Sequence, residues 1–382
     1  MLLLSERTRS ARPTVTRLVL ALSLSLAVAA IGRAEDWASF RGDSALSGVA
    51  SEVLAPPLEV AWAFRIEEGF ESSAAIAGDT AYVTGLDGVL YALDLANGEE
   101  RWRYTATSEI KSSPSVSAGT IYFGDEGGLF HAVDATSGAG RWTFETDGGI
   151  ISSANRVGDL VLFGSYDQFF YALDVETGEL AWKVETEGYV HATPAIADGL
   201  AYIAGCDGYF RGIQVADGQV GSAILVGGYV AASPALSEGR AFVGSFESEV
   251  LSIDLKNGAV LWRYKHPERE FPFYSSPAVS GDTVVIGGRD RSVHAINATT
   301  GESRWLVRMQ ARVDASPVIS GDLVYAADLS GVIVALELAT GTERWRFETG
   351  EDITGSPAVG QGRLVITTQT GTVFAFSRIQ SP

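Results

Sequence analysis

Two stretches forty residues apart decide how this chain reads: Ala132-Val133-Asp134-Ala135-Thr136-Ser137-Gly138-Ala139-Gly140-Arg141-Trp142 and Ala172-Leu173-Asp174-Val175-Glu176-Thr177-Gly178-Glu179-Leu180-Ala181-Trp182. Each ends an apolar strand on an aspartate, turns through a hydroxyl residue and a glycine, and re-enters a strand that carries a tryptophan. The chemistry of the turn is mechanical. An aspartate accepts from backbone amides inside the turn, a glycine takes positive φ at little cost, and a tryptophan covers the turn and the neighbouring unit. This is a structural staple, not a catalytic motif.

Working outward, the same spacing recurs along the chain. Trp62, Trp102, Trp142, Trp182, Ser222, Trp262, Trp305 and Trp345 fill eight slots, with serine in the fifth. A second column of small residues runs Ser72-Ser73, Ser112-Ser113, Ser152-Ser153, Ala192-Thr193, Ala232-Ser233, Ser275-Ser276, Ala315-Ser316 and Gly355-Ser356, often followed by proline. A third, at the strand end, runs Asp94, Asp134, Asp174, Gln214, Asp254, Asn297, Glu337 and Ser377. Units of about 40 residues that each read as four short strands are propeller blades. The expected fold is all-β, an eight-bladed β-propeller of four-stranded blades. Its closure is also legible: the last unit ends before any tryptophan strand, and the strand Val60 to Arg65 has no blade before it. Pairing the two makes the N-terminal strand complete the last blade and removes two exposed sheet edges.

The pattern Ala-x-Asp-x-x-Thr/Ser-Gly-x-x-x-Trp resembles the tryptophan-docking repeat of the pyrroloquinoline-quinone (PQQ) type, found in quinoprotein dehydrogenases, in the outer-membrane assembly lipoprotein BamB and in many secreted repeat proteins. The resemblance covers residues 58–382. Trp37, Phe40, Arg41, Gly42, Asp43 and Gly48 also resemble the lead-in before the first blade of secreted bacterial members, which implies an extended segment over the propeller. Two functions follow from the resemblance. One is a binding or scaffolding role in the cell envelope, with an envelope or extracellular protein as partner. The other is a quinone- or small-ligand-binding sensor, or a PQQ-dependent oxidoreductase holding PQQ with calcium. Quinoprotein dehydrogenases are longer and carry a vicinal cysteine pair, whereas this chain has a single cysteine, Cys206. No catalytic, cofactor-binding or metal-binding residue is assigned, and the expectation is a protein that is not an enzyme and takes no cofactor.

Composition limits the partners. The chain has 382 residues, 46% of them hydrophobic, and a formal net charge of -19. That supports a large core and argues against nucleic acid, whose binding needs a basic patch. Residues 1–34 read as a Sec-type signal peptide: Arg7, Arg9, Arg12 and Arg17 precede an uncharged stretch from Leu18 to Gly32, with cleavage expected after Ala34. Loss of that segment removes five arginines and one glutamate, which leaves a net charge of -23. The expected organisation is a signal peptide over 1–34, an extended lead-in over 35–57 and the propeller over 58–382. The processed protein is expected to be periplasmic or secreted, without stable membrane insertion.

One column varies while its neighbours stay constant: Glu71, Lys111, Ile151, His191, Ala231, Tyr274, Asp314 and Thr354. It precedes the first strand of each unit, which places it around one mouth of the central channel. Glu71, Lys111, His191, Tyr274 and Asp314 are therefore the candidate binding residues, with His191 expected to make binding sensitive to pH near 6 to 7. The loops at Asp87, Asp125-Glu126, Asp167, Asp207, Glu247, Arg289-Asp290-Arg291 and Asp328 belong further out on the same face. His131 and His294 read as packed strand residues, and His266, in the one inter-blade loop with three extra residues, as solvated.

Overall fold

A computed structural model describes residues 36–379, so the signal-peptide segment lies outside the described residues. Eight blades of four antiparallel strands follow one another round a ring, the seventh extended by one short parallel strand. In the first, strands Ala75–Ala77, Thr80–Thr84, Val89–Asp94 and Glu100–Thr105 run from channel to rim. The burial of each strand follows from its place. Blades pack face to face, so Thr80–Thr84 is buried along its whole length, whereas the rim strand Glu100–Thr105 alternates between half-buried and exposed.

The core lies between consecutive blades. Phe130 of the second blade stacks on Phe163 of the third, centroids 3.9 Å apart, and Phe163 stacks in turn on Tyr171. Tryptophan ties the rim together. The indoles of Trp62, Trp142, Trp182, Trp262 and Trp305 each donate to a carbonyl at the turn of the next blade, as Trp62 does to Leu95 O at 2.9 Å. The turn glycine is what permits this approach: a Cβ on Gly98, at φ 76°, would stand 2.6 Å from the Trp62 ring. Trp102 lies the same way over Gly138.

The ring closes where the sequence indicates. Leu58–Arg65 pairs antiparallel with Thr372–Arg378, with Trp62 opposite Ala375, and so becomes the outer strand of the eighth blade. Trp345 of the seventh blade then docks on Leu58 O at 3.1 Å.

The second column closes a ring of its own. The amide of Ser73 donates to the hydroxyl of Ser113, Ser113 to Ser153, Ser153 to Thr193, and so on through Ser233, Ser276, Ser316 and Ser356 back to Ser73, at 2.8 to 3.2 Å. Every slot holds a hydroxyl because every blade must cap the amide of its predecessor.

Residues 36–57 form a strap across the end of the channel opposite the mouth. Trp37 exchanges two hydrogen bonds with Ile76 in blade one, and the carbonyls of Ala38, Ser44, Ala45, Ser47 and Gly48 accept from Val116, Ile196, Leu236, Val279 and Ile319. Asn155 of blade three reaches Ser44 O, Val49–Ala50 adds a parallel strand to blade seven, and Glu52 accepts from Gly362 in blade eight. The strap thus touches all eight blades. Its anchor is Arg41, 1% exposed, which donates to the carbonyls of Pro277 and Pro317 at 3.0 and 2.6 Å.

Candidate functional site

Each unit enters its innermost strand from the same side, so the variable column has to converge. All eight of its residues, including Glu71, Lys111, His191, Tyr274 and Asp314, line one cavity of about 390 Å³ at the channel mouth. The hydroxyl ring forms its wall, and Phe40 reaches it from the strap.

Two of the three charged members are paired with residues outside the column. Lys111 Nζ lies 3.3 Å from Glu126, and Asp314 accepts from Arg289 at 3.0 and 3.2 Å and lies 3.0 Å from Arg312 Nε. Glu71 has no ion-pair partner among the described residues. His191 Nδ1 meets the Tyr166 hydroxyl at 2.7 Å, and the Tyr166 ring stacks on Tyr189 with centroids 4.6 Å apart. Arg289 lies over the Tyr274 ring, 4.6 Å from its centroid. One half of the mouth is therefore aromatic and the other is made of ion pairs.

Burial, reinforced by the charge of Lys111, pulls the His191 imidazole down to about 4. The ring is neutral through the physiological range, which corrects the expected sensitivity near pH 6 to 7. Desolvation explains the reversal, because a ring packed under the rim loses the hydration that its cationic form needs.

The loop carboxylates further out anchor turns. Asp125 accepts from the Leu129 amide, Thr107 and His131; Asp290 takes the Ser292 amide and His294. In other blades Tyr91, Tyr171 and Arg211 fill the histidine position and contact Asp87, Asp167 and Asp207. His131 and His294 are thus packed, each held between a tyrosine hydroxyl and an aspartate. The signal was in the sequence as an aspartate four residues earlier in four blades, that of His294 among them, and six residues earlier for His131. His266 is not solvated. Its side chain is 11% exposed and 3.5 Å from Asp290, because the three extra residues fold the loop back over His294. Tyr166 and Arg312 carried no repeat signal and were missed, whereas Arg289 lies in a loop expected on this face.

A calcium-bound quinone needs several oxygen ligands from carboxylates and amides. Asp314 and Glu126 are committed to cations, and among the described residues no three histidine, cysteine or carboxylate side chains stand close enough to hold a metal. The residues present do not fit that group.

The fold and the mouth define an eight-bladed propeller with a strapped channel and one polar, aromatic-edged concave face. A family model described as the outer membrane protein assembly factor BamB matches residues 52–166, 132–270, 214–305 and 247–380, and the chain belongs to that PQQ-like repeat family. Among solved structures, BamB from Moraxella catarrhalis is 21% identical, with a TM-score of 0.74 over 86% of this chain and 99% of that one. A europium-containing methanol dehydrogenase is 13% identical, with a TM-score of 0.77 over 90% and 98%. The quinohemoprotein alcohol dehydrogenase of Comamonas testosteroni is 14% identical, with a TM-score of 0.77 over 91% and 81%. At these identities the likeness is one of fold. A search of curated protein sequences finds no significant match.

Proposed function

We propose that this protein is an exported binding and scaffolding protein of the cell envelope, not an oxidoreductase, and that it engages a protein partner on its channel-mouth face. The observation that carries the reading is the pairing of three of the polar side chains at the mouth. His191 is tied to Tyr166, Asp314 to two arginines and Lys111 to Glu126. These pairs stiffen a concave surface, beside which Tyr189 and Tyr229 stand 48% and 64% exposed. Exposed tyrosines around a rigid polar centre are the composition of a protein-binding hot spot. Membership of the BamB family supports the same reading.

The test is a capture experiment on envelope proteins with the wild type and with Lys111→Ala/His191→Ala/Tyr274→Ala. The expected result is loss of the captured partner at an unchanged melting temperature. Identical capture by both would show the mouth to be ordinary surface. Titration with PQQ and calcium is expected to give no saturable binding, and a saturable response would favour the oxidoreductase.

A further inference from the structure

A second cavity, of about 630 Å³, lies beside the mouth, and its lining contradicts the charge of the molecule. The chain carries -19 overall, yet Arg269, Arg289, Arg291, Arg308 and Arg312 all line this one cavity. They come from three separate segments: the enlarged loop between blades five and six, the Gly288–Ser292 turn of blade six, and the end of blade six with its exit loop. Arg289 and Arg312 share Asp314, but Arg291 and Arg308 have no ion-pair partner among the described residues, and Arg269 donates only to the backbone carbonyl of Asp290 at 3.4 Å.

The other carboxylates at the cavity do not neutralise the remaining three. Asp290, the one acid in the lining, is 3% exposed and turned towards His294 and His266. Asp328 is buried, and its oxygens accept from the amides of Gln310, Ala311, Ser330 and Val332. Guanidinium groups gathered at one place repel one another unless an anion joins them, and in a protein this acidic their concentration is costly without one.

We infer that this cavity is a binding site for a phosphate group. The three guanidiniums without carboxylate partners exceed what one carboxylate edge can occupy, whereas a tetrahedral phosphate offers several oxygens and about two charges to planar forks. The cavity is larger than one phosphate needs. Phe271, 48% exposed, and Leu329 line it as well and give an apolar surface for the organic part of the ligand. The phosphate is that of a soluble diphosphate-like compound or of a lipid headgroup. The site is distinct from the protein-binding mouth, although it shares Arg289 and Arg312 with it.

The test uses calorimetric titration of the purified protein with inorganic pyrophosphate at neutral pH, together with flotation on phosphatidylcholine vesicles with and without phosphatidic acid. Saturable pyrophosphate binding that weakens as salt is raised is expected. Arg291→Gln/Arg308→Gln should weaken it by about tenfold or more, the loss of one or two charge-assisted hydrogen bonds, at an unchanged melting temperature. Lys111→Ala/His191→Ala, which tests the mouth, should leave it unaltered. Co-flotation only with phosphatidic acid, lost in the arginine double variant, assigns the site to a headgroup; pyrophosphate binding without co-flotation assigns it to a soluble ligand. Neither binding nor co-flotation, or binding that the arginine double variant leaves intact, overturns the inference whatever the capture experiment gives.

Discussion

His191 illustrates how place overrides residue type. An ordinary imidazole titrates near 6.5, but this one is drawn to about 4, first by burial and then by Lys111. A histidine held below its unfolded value binds fewer protons folded than unfolded between those two pH values, so it favours unfolding as pH falls from about 6.5 to 4. The penalty reaches about 3 kcal/mol at the acid end of that window. His191→Gln should therefore flatten the stability profile between those limits, measured by denaturant midpoints across pH; an unchanged slope would count against the buried neutral ring. The hydroxyl column makes a second residue-scale prediction. Ser276→Ala strands the buried Ser233 amide and should cost about 1–3 kcal/mol, while Ser276→Thr keeps the oxygen and should be nearly neutral, since the Thr193 hydroxyl already accepts from the Ser153 amide in its own slot. Equal losses for the two would mean that the ring of hydroxyls contributes packing alone.

Among the elements, the rim strand of blade four stands apart. Val220–Leu225 has neither a tryptophan nor a charge, and Val220 and Leu225 are exposed. In blades one, two and seven the residue before the tryptophan is an arginine that reaches the third-column carboxylate, as Arg141 does to Asp134 at 2.7 Å. Blade four has Gly221 there, and the turn glycine of blade five, Gly258, is covered by Ile224. This fills the gap left at Ser222 with a side chain that other blades use for ordinary packing. Trp182→Ala should therefore cost about 3–5 kcal/mol, and Ser222→Ala far less. Similar drops in melting temperature would show that the tryptophan slots do not hold the blades together. The repeat columns made the tryptophans, the turns and the decay at Ser222 readable in advance; Ile224 as the replacement was not readable, because its column is apolar or aromatic in every blade and marks none of them out.

At the scale of the molecule, stability rests on closure. The N-terminal strand completes blade eight, the strap crosses every blade, and Arg41 anchors the strap from a buried site. A propeller cut at this seam exposes a sheet edge in blade eight and the apolar inner strands beneath the strap. Deletion of residues 35–66 should abolish cooperative thermal unfolding, monitored by circular dichroism. A soluble deletion protein with a sharp transition would show that the remaining blades close without the seam.

The number of blades, the closing strand and the convergence of Glu71, Lys111, His191, Tyr274 and Asp314 were determined by the sequence alone. A repeat places equivalent residues at equivalent points of a ring, so a column in the sequence becomes a circle in space. What the circle does chemically was decided only by the tertiary structure. Tyr166 meets His191, Arg289 and Arg312 meet Asp314, and five arginines gather beside the mouth because different columns and inter-blade loops are brought together across blade boundaries. No periodicity relates those positions, and burial, which set the protonation of His191, depends on all the neighbours at once.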